Sequence, residues 1–123
     1  MNGPPIGSLL IGSSRVDHVK AWYRRAFDVT ENDMGAFEFG PVQLFVETHS
    51  EVDGTTKEPA RLIVNLNVDD CRGLAAHLRE LGTQFVRGVE QEPFGLIATV
   101  ADPDGNYLQL IEWGATPEAH RGT

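Results

Sequence analysis

The chain has 123 residues, 41% of them apolar and 23% charged, a composition that fits one folded domain with a modest core and excludes a disordered segment. Ten Lys and Arg stand against eighteen Asp and Glu, and the resulting charge of -8 excludes nucleic acid and anionic membranes as expected partners. Cys71 is the single cysteine, which rules out an intrachain disulfide and a multi-thiolate metal centre within one chain. No apolar run reaches the ~20 residues of a bilayer span, and Met1-Asn2-Gly3-Pro4-Pro5 lacks the basic and apolar regions of a secretion signal, so a cytoplasmic location is expected.

In chain order, Ser8 to Gly12 reads as a short apolar strand, and Ser14 with Asp17 three residues on reads as a capping box. The helix runs to about Phe27, with Val16, Val19, Trp22, Tyr23, Ala26 and Phe27 on one stripe. Asp28 to Asp33 is expected as a short extended piece, Ala36 to Phe39 as a strand, Gly40-Pro41 as a turn and Val42 to Thr48 as a strand. The polar, Gly- and Pro-containing stretch from about 49 to 60 is expected to link two halves. Arg61 to Val68 then reads as a strand. Asp70 caps a helix carrying Cys71, Leu74, Ala75, Leu78 and Leu81 on one face, with Gly82 just past its end. Gln84 to Val89 is expected as a strand, Glu90 to Pro93 as a loop and Phe94 to Ala101 as a strand. Asp102-Pro103-Asp104-Gly105-Asn106 is a tight turn feeding a last strand to Trp113, and Gly114 to Thr123 is expected as a tail.

The element order thus repeats as strand, helix, strands, with a helix on one side only. Alternation then assigns faces. Leu62, Val64, Leu66 and Val68 lie under a helix, as do Val42, Leu44 and Val46 in the first half and Leu108 and Leu110 in the last strand. Ile63, Asn65 and Asn67 face the other way, with Gln43, Phe45 and Glu47, and with Tyr107, Gln109, Ile111 and Trp113. This second face mixes aromatic and amide side chains, the composition of a ligand pocket, although a dimer interface or a core between sheets uses the same residue types.

Few residues suggest catalysis. Ser13-Ser14 is explained by capping, and there is neither a Gly-rich phosphate loop nor a Cys-His arrangement with a third group. His18 and His77 fall on helices off the apolar stripes and His120 in the tail. Only His49 shares the face of Glu47.

Trp22-Tyr23-Arg24-Arg25-Ala26-Phe27, Val68-Asp69-Asp70, Leu78-Arg79-Glu80-Leu81-Gly82, Glu92-Pro93-Phe94-Gly95 and Asp102-Pro103-Asp104-Gly105-Asn106, in this order and spacing, resemble the vicinal oxygen chelate superfamily. That superfamily groups glyoxalases, ring-cleaving dioxygenases, and bleomycin and fosfomycin resistance proteins. The resemblance covers Ser8 to Trp113. It implies an α+β fold of paired βαβββ modules forming a cupped mixed sheet with helices on the outer face, module one at about 6-48 and module two at about 61-113 of a single domain. Small members are commonly dimers in which modules of two chains meet, so a homodimer is expected.

Catalytic members hold a divalent metal with His and Glu ligands from the first and last strands of each module. Here the matching positions fall near Ser8, on Gln43 or Phe45 (Glu47 in a shifted register), on Ile63 and on Gln109. Neutral amides are weak ligands for such ions, so neither metal nor cofactor is expected. The resemblance therefore implies a metal-free protein that binds a small hydrophobic or cationic molecule, with antibiotic sequestration as one form of that role. Phe45, Glu47, Asn65, Asn67, Phe94, Tyr107, Gln109 and Trp113 are the expected contacts, Phe94 because its loop resembles a family pocket edge. The alternative is a metal-dependent lyase, isomerase or ring-cleaving dioxygenase using Glu47, His49 and Gln109.

Overall fold

A computed structural model describes residues 2–114, so the expected tail beyond Gly114, with His120, lies outside the described residues. The chain divides into two compact units with the boundary between Gly54 and Thr55. The first contains strand β1 (Ser8–Ser13), helix α1 (Val16–Phe27) and strands β2 (Phe37–Phe39) and β3 (Val42–Thr48). Its sheet has the order β1-β3-β2, with β1 parallel and β2 antiparallel to β3. Helix α1 buries Val19, Tyr23 and Ala26, and its aromatic residues meet those of β2. The Tyr23 ring stacks on Phe37 at 6.1 Å between centroids, while Phe27 meets Phe39 edge-on at 5.4 Å. Leu44 and Val46 are buried on this helix-facing side, as alternation predicts.

Two local expectations for this unit are corrected. The capping box at Ser14 does not form: the N-cap is Arg15, without a side-chain cap, and its N–H donates to Ser13 Oγ at 3.0 Å. Strand β1 runs one residue further than expected, to the fully buried Ser13, which moves the start of the helix by one position. The second correction concerns Asp28 to Asp33, which form no strand, so two strands rather than three follow α1. Asp28 closes the helix in the left-handed region, at φ 51°. Asn32 Oδ1 then accepts from the N–H groups of Met34 and Ala36, at 3.0 and 3.1 Å, folding the segment into a side-chain-capped turn.

Glu31 in this segment is tied back to α1 by a bidentate pair, accepting from Arg24 Nε at 2.7 Å and Nη2 at 2.6 Å. The guanidinium bonds hold the Glu31 carboxyl at about 2, well below its ordinary 4.5. Because the folded value lies below the unfolded one, the pair contributes stability above pH 4.5 that is lost as pH falls toward 2. Both side chains retain solvent contact, so Glu31→Gln is expected to cost only about 0.5–1 kcal/mol at neutral pH. Urea titrations at several pH values check this, and a gap between wild type and variant that stays constant down to pH 2 would contradict it.

The second unit opens with a short 3₁₀ helix (Pro59–Arg61), followed by β4 (Val64–Asn67), α2 (Cys71–Glu80), β5 (Gln84–Glu92), β6 (Gly95–Ala101) and β7 (Tyr107–Trp113). Its sheet order is β4-β7-β6-β5, with β4 parallel to β7 and the other pairs antiparallel. The chain is therefore α+β with mixed sheets, as expected. Asp70 caps α2, accepting from the Gly73 N–H at 3.0 Å, and Gly82 ends it at φ 77°. Cys71, Ala75 and Leu78 are buried on the face toward Leu108 and Leu110, and Cys71 Sγ lies 3.7 Å from the Leu110 carbonyl. Burial, then the nearby Glu112 charge, pushes the Cys71 thiol pKa up, so this cysteine is an inert core residue. Glu112 itself accepts from the Cys71 N–H at 2.9 Å, on the helix side of the sheet as its parity predicts.

Two boundaries in this unit differ from expectation. The strand expected from Arg61 starts only at Val64, because Pro59 leads the chain into a 3₁₀ turn, and Leu62 is 75% exposed instead of under the helix. Strand β5 continues through the expected loop to Glu92, leaving only Pro93 and Phe94 as the turn before β6. The turn from Asp102 to Asn106 is held by side-chain as well as backbone bonds. Asp102 is 4% exposed, and its Oδ1 accepts from the N–H groups of Asp104 and Asn106, both at 2.9 Å. Asn106 Nδ2 donates to Asp102 Oδ2 at 3.0 Å, and Gly105 supplies the positive φ of 87°. Among the described residues no helix is long and apolar enough to cross a membrane.

Candidate functional site

The face of the second sheet turned away from α2 carries the candidate site. Strand register aligns Asn65, Gln109, Thr99 and Arg87 in one row across all four strands, and Asn67, Ile111, Ile97 and Glu90 in the next. A third row places Trp113, Gly95 and Glu92 side by side. Five expected contacts, Asn65, Asn67, Tyr107, Gln109 and Trp113, therefore share one surface, and Phe94 reaches it from the β5–β6 turn.

Trp113 and Phe94 make the aromatic end of that surface, with ring centroids 5.1 Å apart and planes inclined by 49°. Trp113 Nε1 donates to Asn67 Oδ1 at 2.8 Å, fixing the indole against β4. Backbone bonds hold the pair from the other side, since the Gly114 N–H donates to the Phe94 carbonyl at 2.8 Å. Gly95 sits at φ 146°, and a Cβ there would lie 2.0 Å from the Glu112 carbonyl oxygen. Only glycine lets β6 approach β7 this closely beside Trp113.

Alternation alone does not reveal the Arg87 cluster on this face. Arg87 donates to Glu90 at 2.9 Å and also to Glu92, and these bonds, first that to Glu90, raise its pKa. Register shifts between Phe85 and Arg87 and between Arg87 and Glu90 break the period of two, which hides the shared face in the sequence. The spacing of opposite charges at 87, 90 and 92 is the available signal. Thr99, buried in the same row, follows from simple alternation along β6.

Phe45 and Glu47 belong to the first unit, where they share the helix-free face of β3 with Gln43. Phe45 is half-buried and Glu47 exposed. Backbone N–H groups occupy Asn32 Oδ1, so Asn32 must turn its Nδ2 toward Gln43 and Gln43 must answer with Oε1, at 3.1 Å. Gln43 thus keeps its NH2 as the free end of the amide. Beyond β3, His49 packs beside Gly12, whose added Cβ would lie 3.1 Å from the His49 Cβ, and Gly12 is the register partner of Glu47. His49 Nδ1 accepts from the Glu51 N–H at 3.1 Å, which leaves Nε2 to carry the ring proton in the neutral tautomer.

These donor sets do not fit a divalent metal. A zinc- or iron-type site needs three or more imidazole or carboxylate donors converging on one point. Among the described residues no group of three His, Cys, Asp or Glu is arranged to hold one. Glu112, the carboxylate nearest in sequence to Gln109, is spent on the first turn of α2.

The fold places the chain among solved structures. TnmS3, an antibiotic-binding protein from Streptomyces sp. CB03234, superposes with a TM-score of 0.68 at 19% identity, covering 93% of this chain and 99% of that one. TioX from Micromonospora sp. ML1 gives 0.69 at 15% identity, with 89% and 99% covered. A glyoxalase/bleomycin resistance protein/dioxygenase family enzyme from Burkholderia phytofirmans PsJN gives 0.69 at 15% identity, with 85% and 94% covered. No curated protein sequence matches the chain. The family model described as Glyoxalase/Bleomycin resistance protein/Dioxygenase superfamily matches residues 6–110, and the chain belongs to that superfamily.

Proposed function

We propose that this chain binds a small aromatic molecule without a metal ion, in the manner of a sequestering protein and not of a metalloenzyme. The observation that carries this reading is the Phe94–Trp113 pair, exposed at the end of a sheet face that carries the amides of Asn65, Asn67 and Gln109, the Thr99 hydroxyl and the ion-paired Arg87, Glu90 and Glu92. An amide, Gln109, at the position where catalytic relatives place a carboxylate supports it, as does the likeness in fold to an antibiotic-binding protein. In this reading Trp113 and Phe94 supply stacking area, and Asn65, Asn67, Tyr107 and Gln109 orient polar groups. The working form is a cytoplasmic homodimer.

Calorimetric titration with cationic glycopeptides and planar aromatic compounds tests this directly. Saturable binding that survives EDTA is expected, and Trp113→Ala is expected to weaken it about tenfold or more. Absence of binding by every compound overturns the reading. So does a stoichiometric divalent metal that is lost on Glu47→Ala, which would favour the metal-dependent alternative built on Glu47 and His49.

A further inference from the structure

We infer that Asn67, Trp113 and Phe94 form a subsite for a flat aromatic ring bearing a neutral carbonyl oxygen, with the Asn67 amide N–H as the group that recognises the oxygen. The inference rests on the aromatic-ligand reading above and narrows it to aryl carbonyl compounds. Its basis is the direction of one hydrogen bond. An indole N–H only donates, so the Asn67 atom 2.8 Å from Trp113 Nε1 must be the oxygen, and the orientation of the amide is fixed by chemistry. Asn67 consequently presents its NH2 as donors at the edge of the indole, with one lone pair of its oxygen taken by the indole N–H. Asn67 and Trp113 are both exposed, Trp113 to 61%, which leaves the indole face and the amide protons open together.

A ring laid on that face brings an in-plane substituent to the amide protons. The charge setting then discriminates among substituents. An ammonium group carries only donors, so it would leave the Asn67 NH2 unpaired and could bond only to the remaining lone pair of Asn67 Oδ1. A carboxylate would meet the chain's charge of -8 and Glu92, the register partner of Gly95 beside Trp113. A hydrocarbon would desolvate the amide and return no bond. A neutral carbonyl satisfies the donor without added charge, and leaving the donor unpaired is expected to cost about five- to tenfold in affinity.

The test uses the full chain and three bicyclic probes of one shape, 1-indanone, indane and protonated 1-aminoindane, followed by side-chain amide and indole NMR signals. 1-Indanone is expected to bind about five- to tenfold more tightly than indane and to shift both the Asn67 NH2 and Trp113 Nε1–H signals. Asn67→Asp retains an oxygen for the indole N–H and removes the amide protons, and its position is exposed, so the fold and the Trp113 orientation persist. In that variant the carbonyl preference is expected to vanish and 1-aminoindane to become the tightest of the three. Equal binding of 1-indanone and indane, or a carbonyl preference unchanged in Asn67→Asp, overturns the inference and leaves aromatic binding standing. Failure of all three probes to bind overturns both.

Discussion

Asp102→Ala is expected to lower stability by about 3–5 kcal/mol, a large fraction of what holds a domain of this size together. The carboxylate is buried and accepts from two backbone N–H groups and from the Asn106 amide, so its removal strands several donors at once in a site with little water. Asp102→Asn preserves shape and one acceptor oxygen and is expected to fall between the two. Urea unfolding followed by circular dichroism checks the order, and a loss below about 1 kcal/mol for the alanine variant would contradict the role assigned to this turn. The effect should extend to binding. The turn delivers the chain into β7, and the register of that strand sets which side chains stand on the candidate face.

Gly95→Ala ranks second, with an expected loss of about 2–4 kcal/mol. Two costs combine. The residue must hold φ near 146°, and the new methyl would lie 2.0 Å from the Glu112 carbonyl oxygen and 3.1 Å from the Gly114 nitrogen, both backbone atoms that cannot swing aside. Relief requires β6 to part from β7 at the Gly95–Trp113 pair, which is where the exposed indole is anchored. Thermal unfolding and the Trp113 indole NMR signal together test this. A variant with wild-type stability and an unshifted indole resonance would show that the strands yield more easily than the close contact implies.

The fold was legible where apolar period and turn chemistry agree. The stripes Val19, Tyr23, Ala26 and Cys71, Ala75, Leu78 mark two helices, and the Asp70 cap and the turn at 102–106 punctuate the second half as read. Misplaced boundaries trace to local competition among hydrogen bonds. Ser13 and Ser14 are equally good caps by composition, yet neither caps α1, because Ser13 is buried at the end of β1 and the helix starts one residue later, from Arg15. Asn32 folds back on Met34 and Ala36, an arrangement that a search for extended residues does not detect. At the candidate face, parity identified Asn65, Asn67, Gln109 and Trp113 because β4 and β7 are regular. It missed Arg87, Glu90 and Glu92 because β5 is bulged. The bond between Asn67 and Trp113 joins residues 46 positions apart and has no local signature.

Glu112 gives the last strand a fixed phase. Its carboxylate holds the amide of Cys71, so a slip of β7 by one residue would pull that oxygen off the helix and drive Leu108 and Leu110 out of the core. The acid three positions from Gln109 therefore cannot be recruited by sliding the backbone. Exchange of side chains at position 109 is the open route, and glutamine and glutamate codons differ by one base. The amide at position 109 thus stands one mutational step from an acid, while the Glu112–Cys71 bond and the burial of Leu108 and Leu110 hold the strand beneath it in place.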